Sequence, residues 1–110
     1  SRGLGDVYKR QTLIISASYA LQEIFLDNSY RVGGDEFVVI EQDVSELLFF
    51  DQYSKLLKRM KELEISVATG CVWKETCSNL SEILQEADQK MYEDKKRYYS
   101  LAENDRRKRR

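Results

Sequence analysis

A chain of 110 residues, 42% hydrophobic and 34% charged, has the make-up of one small globular domain, and its formal charge of −1 gives no general reason to seek nucleic acid. No apolar run approaches the roughly 20 residues of a membrane-spanning helix. Histidine is absent, which excludes Ser-His and Cys-His nucleophiles and leaves an ordinary zinc site short of ligands, so Cys71 and Cys77 are expected as buried or free thiols.

Ser1 to Gln11 resembles the in-frame translation of a transposase sequencing-library adapter. It is set aside as non-native, and the natural sequence is expected to begin near Thr12. From Thr12 to Phe25, the residues Leu13, Ala17, Leu21, Ile24 and Phe25 recur at helical spacing, which predicts an amphipathic helix packed on a core. Leu26 to Ser29 is then a loop.

The stretch from Tyr30 to Ile40 organises the chain. In Tyr30 to Val32 and Phe37 to Ile40 all residues but Arg31 are β-branched or aromatic, and Gly33-Gly34 between them supplies the positive φ angles of a tight hairpin turn. Asp35 and Glu36 follow. Adjacent strand residues point to opposite faces, so one carboxylate can look into a site while the other serves its edge. Carboxylates on a rigid hairpin, beside glycines that admit a phosphate to the backbone, suit Mg²⁺ and nucleotide handling. The same pattern also describes a solvent-facing turn, and spacing alone does not choose between the two.

Beyond Ile40 a polar stretch leads to a helix starting near Ser45, with Tyr53, Leu56, Leu57, Met60 and Leu63 as its buried stripe. Leu47 to Phe50 is either part of that helix or a separate turn. Ile65 to Trp73 reads as a strand, and Gly70 within it marks a bulge or a close backbone approach. Asn79 and Glu82 have the spacing of a capping box, opening a helix to about Tyr98 with Leu80, Ile83, Leu84, Ala87, Met91 and Tyr92 on one face. Residues 101–110, ending in Arg106-Arg107-Lys108-Arg109-Arg110, are expected as a solvated, disordered basic tail rather than a nucleic-acid or lipid contact.

Gly33-Gly34-Asp35-Glu36-Phe37 matches, letter for letter, the signature of the GGDEF family, the diguanylate cyclases, and Arg31-Val32 resembles that family's Arg-aliphatic lead-in. Ala87-Asp88, Met91-Tyr92 and Lys95 resemble its closing helix. The likeness covers Thr12 to about residue 100, as a partial domain. It lacks the family's first strand with its metal-binding Asp and the loop that reads guanine; the register puts the family's Gly-Asp pair at Lys9 and Arg10.

The resemblance implies an α/β (α+β) fold of the nucleotidyl-cyclase palm type, a mainly antiparallel sheet packed by helices with the GGDEF hairpin at its centre. It implies condensation of two GTP into cyclic di-GMP with release of pyrophosphate, in a homodimer that brings one GTP per protomer. Asp35 and Glu36 would be catalytic and hold Mg²⁺ or Mn²⁺, Gly33 and Gly34 would admit the nucleotide, and Lys95 would hold its phosphates. Tyr98-Tyr99-Ser100 stands where the family often has Gly-Arg-Asn, which leaves open a catalytically silent domain that binds GTP or cyclic di-GMP as an effector module. Of the family's inhibitory Arg-x-x-Asp site only Asp27 is present, with Ile24 in place of the Arg. A bacterial, cytoplasmic location is implied, with a sensory domain or a membrane anchor upstream in the parent, and the fragment alone is expected to be inactive.

Overall fold

The computed structural model describes residues 4–108, in two compact units, the first closing at Ser66 and the second opening at Val67. Among the described residues, three α-helices and one two-stranded antiparallel sheet make an α+β arrangement. In the first unit α1 (Leu4–Phe25) leads through a 3-10 turn (Leu26–Asn28) into β1 (Ser29–Gly33) and β2 (Glu36–Val39), followed by α2 (Glu46–Glu62).

Helix α1 starts at Leu4 rather than Thr12, and residues 1–3 of the adapter-like segment lie outside the described residues. Its buried stripe is Ala17, Ala20, Leu21 and Phe25, which meets Leu56, Met60 and Ile65 in the core, with Ile24, Phe37, Val39 and Leu63 packed against it. Leu13, expected in that stripe, is 47% exposed, because this cluster engages only the later turns of the helix. Glu23 and Arg59 join α1 to α2 across the surface at 3.2 Å, a contact worth under about 1 kcal/mol between exposed groups.

The hairpin forms where it is expected. Ser29 pairs with Val39, Tyr30 with Val38 and Arg31 with Phe37; the register then slips at Val32, so that Gly33 opposes Glu36. The Ile40 amide donates to the Asn28 carbonyl at 3.0 Å and continues the pairing past β2. An isolated two-stranded hairpin is marginal in water. Phe37 and Val39 tie this one to the core.

Ser45 caps α2 as its hydroxyl accepts from the Leu48 amide at 3.1 Å. Leu47 to Phe50 belong to the helix, with Leu47 84% exposed and the Phe49 and Phe50 rings edge to face at 5.3 Å. Leu56 and Met60 are buried, whereas Leu57, placed in the stripe by its spacing, is exposed. The helix ends in a Schellman motif: Ile65 donates to the Met60 carbonyl at 2.9 Å, Glu64 donates to the Lys61 carbonyl at 3.0 Å, and Glu64 itself is left-handed at φ 58.

The segment Ile65 to Trp73, expected as a strand, forms no ladder. Strand propensity needs a neighbouring strand to become pairing, and from Val67 on this segment is held by side chains of α3 (Leu80–Lys108) instead. Asp94 accepts from the Thr69 amide at 2.9 Å, Lys90 donates to the Cys71 carbonyl at 3.4 Å, and Lys74 pairs with Glu86 at 3.4 Å. Gly70 makes the close approach its position suggests. A Cβ there would run into the Ala87 carbonyl and lie 2.5 Å from the Met91 nitrogen.

Asn79 caps α3 by accepting from the Glu82 amide at 3.3 Å. Ile83, Ala87, Met91 and Asp94 form its half-buried line, while Leu80, Leu84 and Tyr92, expected on the same face, are exposed. The helix continues past Tyr98 to Lys108, through residues expected as a tail. Arg109 and Arg110 lie outside the described residues.

Candidate functional site

The hairpin tip carries the signature. Gly34 and Asp35 are its two turn residues, between Gly33 at the end of β1 and Glu36 at the start of β2. Only Gly34 has a positive φ, at 49, so the expectation that both glycines supply such angles is corrected: a turn of two residues with the left-handed angle at the first needs one glycine. Gly33 ends β1 at the register slip without a positive φ. A Cβ on either glycine would meet nothing within 4 Å, so the space over the turn backbone is open. Asp35 and Glu36 are both exposed. Since Phe37 packs on the core, strand alternation turns Glu36 to the opposite face of the sheet.

One contact at the tip, made by the Arg31 of the lead-in, escaped the reading of the sequence. The Arg31 Nε–H donates to the Gly34 carbonyl at 2.7 Å, bridging the strand to the turn. A signal was available: an arginine three residues before the first turn residue is within reach of that carbonyl. Arg31 and its cross-strand partner Phe37 also line an open groove of about 450 Å³, whose other wall is Ile14, Ser18, Tyr19 and Gln22 of α1.

Mg²⁺ is commonly held through one or two carboxylates, the remaining positions filled by water and substrate phosphates. Asp35 and Glu36 fit such a contribution, as adjacent, exposed hard-oxygen donors. Among the described residues no group of three or more Asp, Glu, Cys or His side chains is placed to hold a metal ion, so this pair would be a partial set.

The other expected site residues belong to other elements. Lys95 is an exposed residue of α3 in the second unit. Asp27 is exposed in the 3-10 turn, and Ile24, where an inhibitory site would carry Arg, packs against the core. Both cysteines are free thiols. Burial pushes the Cys71 thiol above its usual range, partly offset by the Lys90 ammonium. Below the hairpin, burial lifts the Glu41 carboxyl, and a hydrogen bond from Gln52 pulls it back. No helix among the described residues is long and apolar enough to cross a membrane. Comparison with models of known protein families, with curated proteins and with solved structures finds no match to this chain.

Proposed function

We propose that this chain is part of a diguanylate cyclase domain of the GGDEF type, with a palm-like sheet centred on the β1-β2 hairpin. The reading is carried by one observation: the letters Gly33 to Phe37 span a hairpin whose two-residue turn, Gly34-Asp35, leaves Asp35 and Glu36 exposed beside open backbone. In this reading two GTP are joined into cyclic di-GMP, each 3′-hydroxyl displacing pyrophosphate from the partner's α-phosphate, in a homodimer. Bound Mg²⁺ would supply charge neutralisation of the reacting phosphates. Asp35 and Glu36 would hold and orient it, the glycines would leave room for the nucleotide, and Lys95 would set a compact positive charge on the phosphates. The proposed setting is the bacterial cytoplasm, downstream of a sensory domain.

Tyr98-Tyr99-Ser100, where the family often places Gly-Arg-Asn, supports a second reading in which the domain binds guanine nucleotide without turnover. Incubation of the complete parent protein with GTP and Mg²⁺, followed by chromatography, separates the two. Cyclic di-GMP formation is the expected result. GTP binding without product would favour the silent module, and the absence of any guanine-nucleotide binding would overturn both.

A further inference from the structure

The arginine that precedes the turn is placed to act on the carboxylates through the backbone of the turn. Its side chain spends its inner donor, Nε–H, on the carbonyl of Gly34, the residue whose left-handed φ of 49 sets the turn. At 2.7 Å this is a short, charge-assisted hydrogen bond to a backbone oxygen. It closes a small ring from Arg31 through the irregular step at Val32 and Gly33 to the first turn residue, spanning the part of the hairpin where the register slips. The peptide unit that is held carries the amide of Asp35 on its other side. Fixing the Gly34 carbonyl therefore fixes the plane from which the Asp35 side chain departs, and with it the start of β2 at Glu36.

The need for such a clamp follows from the rest of the tip. A glycine loses more conformational freedom on ordering than any other residue, and two stand in sequence here. Neither is packed, since a Cβ on Gly33 or Gly34 would meet no atom within 4 Å. Asp35 and Glu36 are exposed as well, so side-chain packing does not hold the turn. The core reaches only as far as Phe37, whose cross-strand neighbour is Arg31 itself.

We propose that Arg31 is a positioning residue, which orients the Asp35-Glu36 carboxylate pair by clamping the Gly34 carbonyl. Its relevance to metal rests on the reading given under Proposed function; the clamp itself does not. Two substitutions isolate the donor from the charge. Arg31→Gln places an amide nitrogen the same number of bonds from Cα as Nε, keeping a donor and losing the charge. Arg31→Met keeps the length and loses both.

The test uses the full 110-residue chain, labelled with ¹⁵N, with helix content matched by circular dichroism. Backbone order parameters at Gly34 and Asp35 should fall in Arg31→Met from the rigid range, about 0.85, toward the flexible range, under about 0.6, and should recover in Arg31→Gln. Unchanged order in Arg31→Met, or a Gln variant no better than Met, would overturn the clamp. Mn²⁺ is then titrated as a paramagnetic probe of the Asp35 and Glu36 amides. Loss of a cation alone would tighten Mn²⁺ binding equally in both variants, whereas the clamp requires Arg31→Met to bind several-fold more weakly than Arg31→Gln. If the unaltered chain shows no Mn²⁺ broadening at these amides, the metal reading fails while the order parameters still decide the role of Arg31.

Discussion

Gly70 and Met91 meet backbone to backbone, so closely that a methyl group on Gly70 would lie 2.5 Å from the Met91 nitrogen and collide with the Ala87 carbonyl. The obstacle is main chain in the body of a helix, which cannot swing aside as a side-chain end would. Gly70→Ala is therefore expected to displace the 69–71 segment and break the Thr69–Asp94 hydrogen bond, at a cost of about 1–3 kcal/mol to this unit. Amide exchange at Thr69 reads the effect directly. Protection equal to that of the unaltered chain would mean that the two backbones are not in contact.

Glu64 holds the left-handed position of the Schellman motif that ends α2, a place where glycine has no side-chain penalty. Glu64→Gly keeps both capping bonds and relieves the strain, against some loss of unfolded-chain restriction. The expected net is a gain of about 0.5 kcal/mol, seen as a higher urea midpoint. A lower midpoint would show that the Glu64 side chain contributes more than its backbone costs.

The Glu41 carboxyl is raised by burial above its ordinary 4.5, the Gln52 hydrogen bond opposing the shift. The folded chain thus binds this proton more tightly than the unfolded chain. Its contribution to stability is fully present below pH 4.5 and is lost as pH rises from there through the folded value. Glu41→Gln should remove that slope, so the difference in urea midpoint between variant and parent chain should grow with pH and then level off. A constant difference across the titration would refute it.

On the proposed diguanylate cyclase reading, and tested in the complete parent protein which that reading implies, Asp35→Ala and Glu36→Ala are each expected to lower cyclic di-GMP formation by on the order of 10² or more, since lost electrostatic contacts at a reacting phosphate act on the rate. Melting temperatures should hardly move, because both side chains are exposed. Near-parental turnover in both variants would make the motif structural.

The hairpin could be read from the sequence because its two signals agree: β-branched and aromatic runs on either side, and glycine at the point of reversal. The caps at Ser45 and Asn79 were equally plain, as a short oxygen-bearing side chain at a helix start has one main use. What escaped depends on neighbours that are distant in the chain. Ile65 to Trp73 has strand composition, but pairing is a property of two segments, and side chains of α3 hold it from Val67 on. Leu13, Leu57 and Leu80 fit a helical period, yet burial is decided by how far the opposing surface extends. Leu26 and Glu64 adopt positive φ with no glycine to announce it. Within the site, the carboxylates were visible as letters, whereas the Arg31 contact with Gly34 showed only as a spacing of three residues to the turn.

A sheet of two strands has no interior strand. Each of β1 and β2 presents an outer row of amides and carbonyls that the other cannot reach, and Tyr30 and Val32 lie exposed along β1. Such an edge is a template for any extended chain, including a second molecule of the same sequence. The hairpin that displays the signature is therefore also the place where concentrated samples would begin to self-associate, through main-chain ladders indifferent to the side chains at the tip.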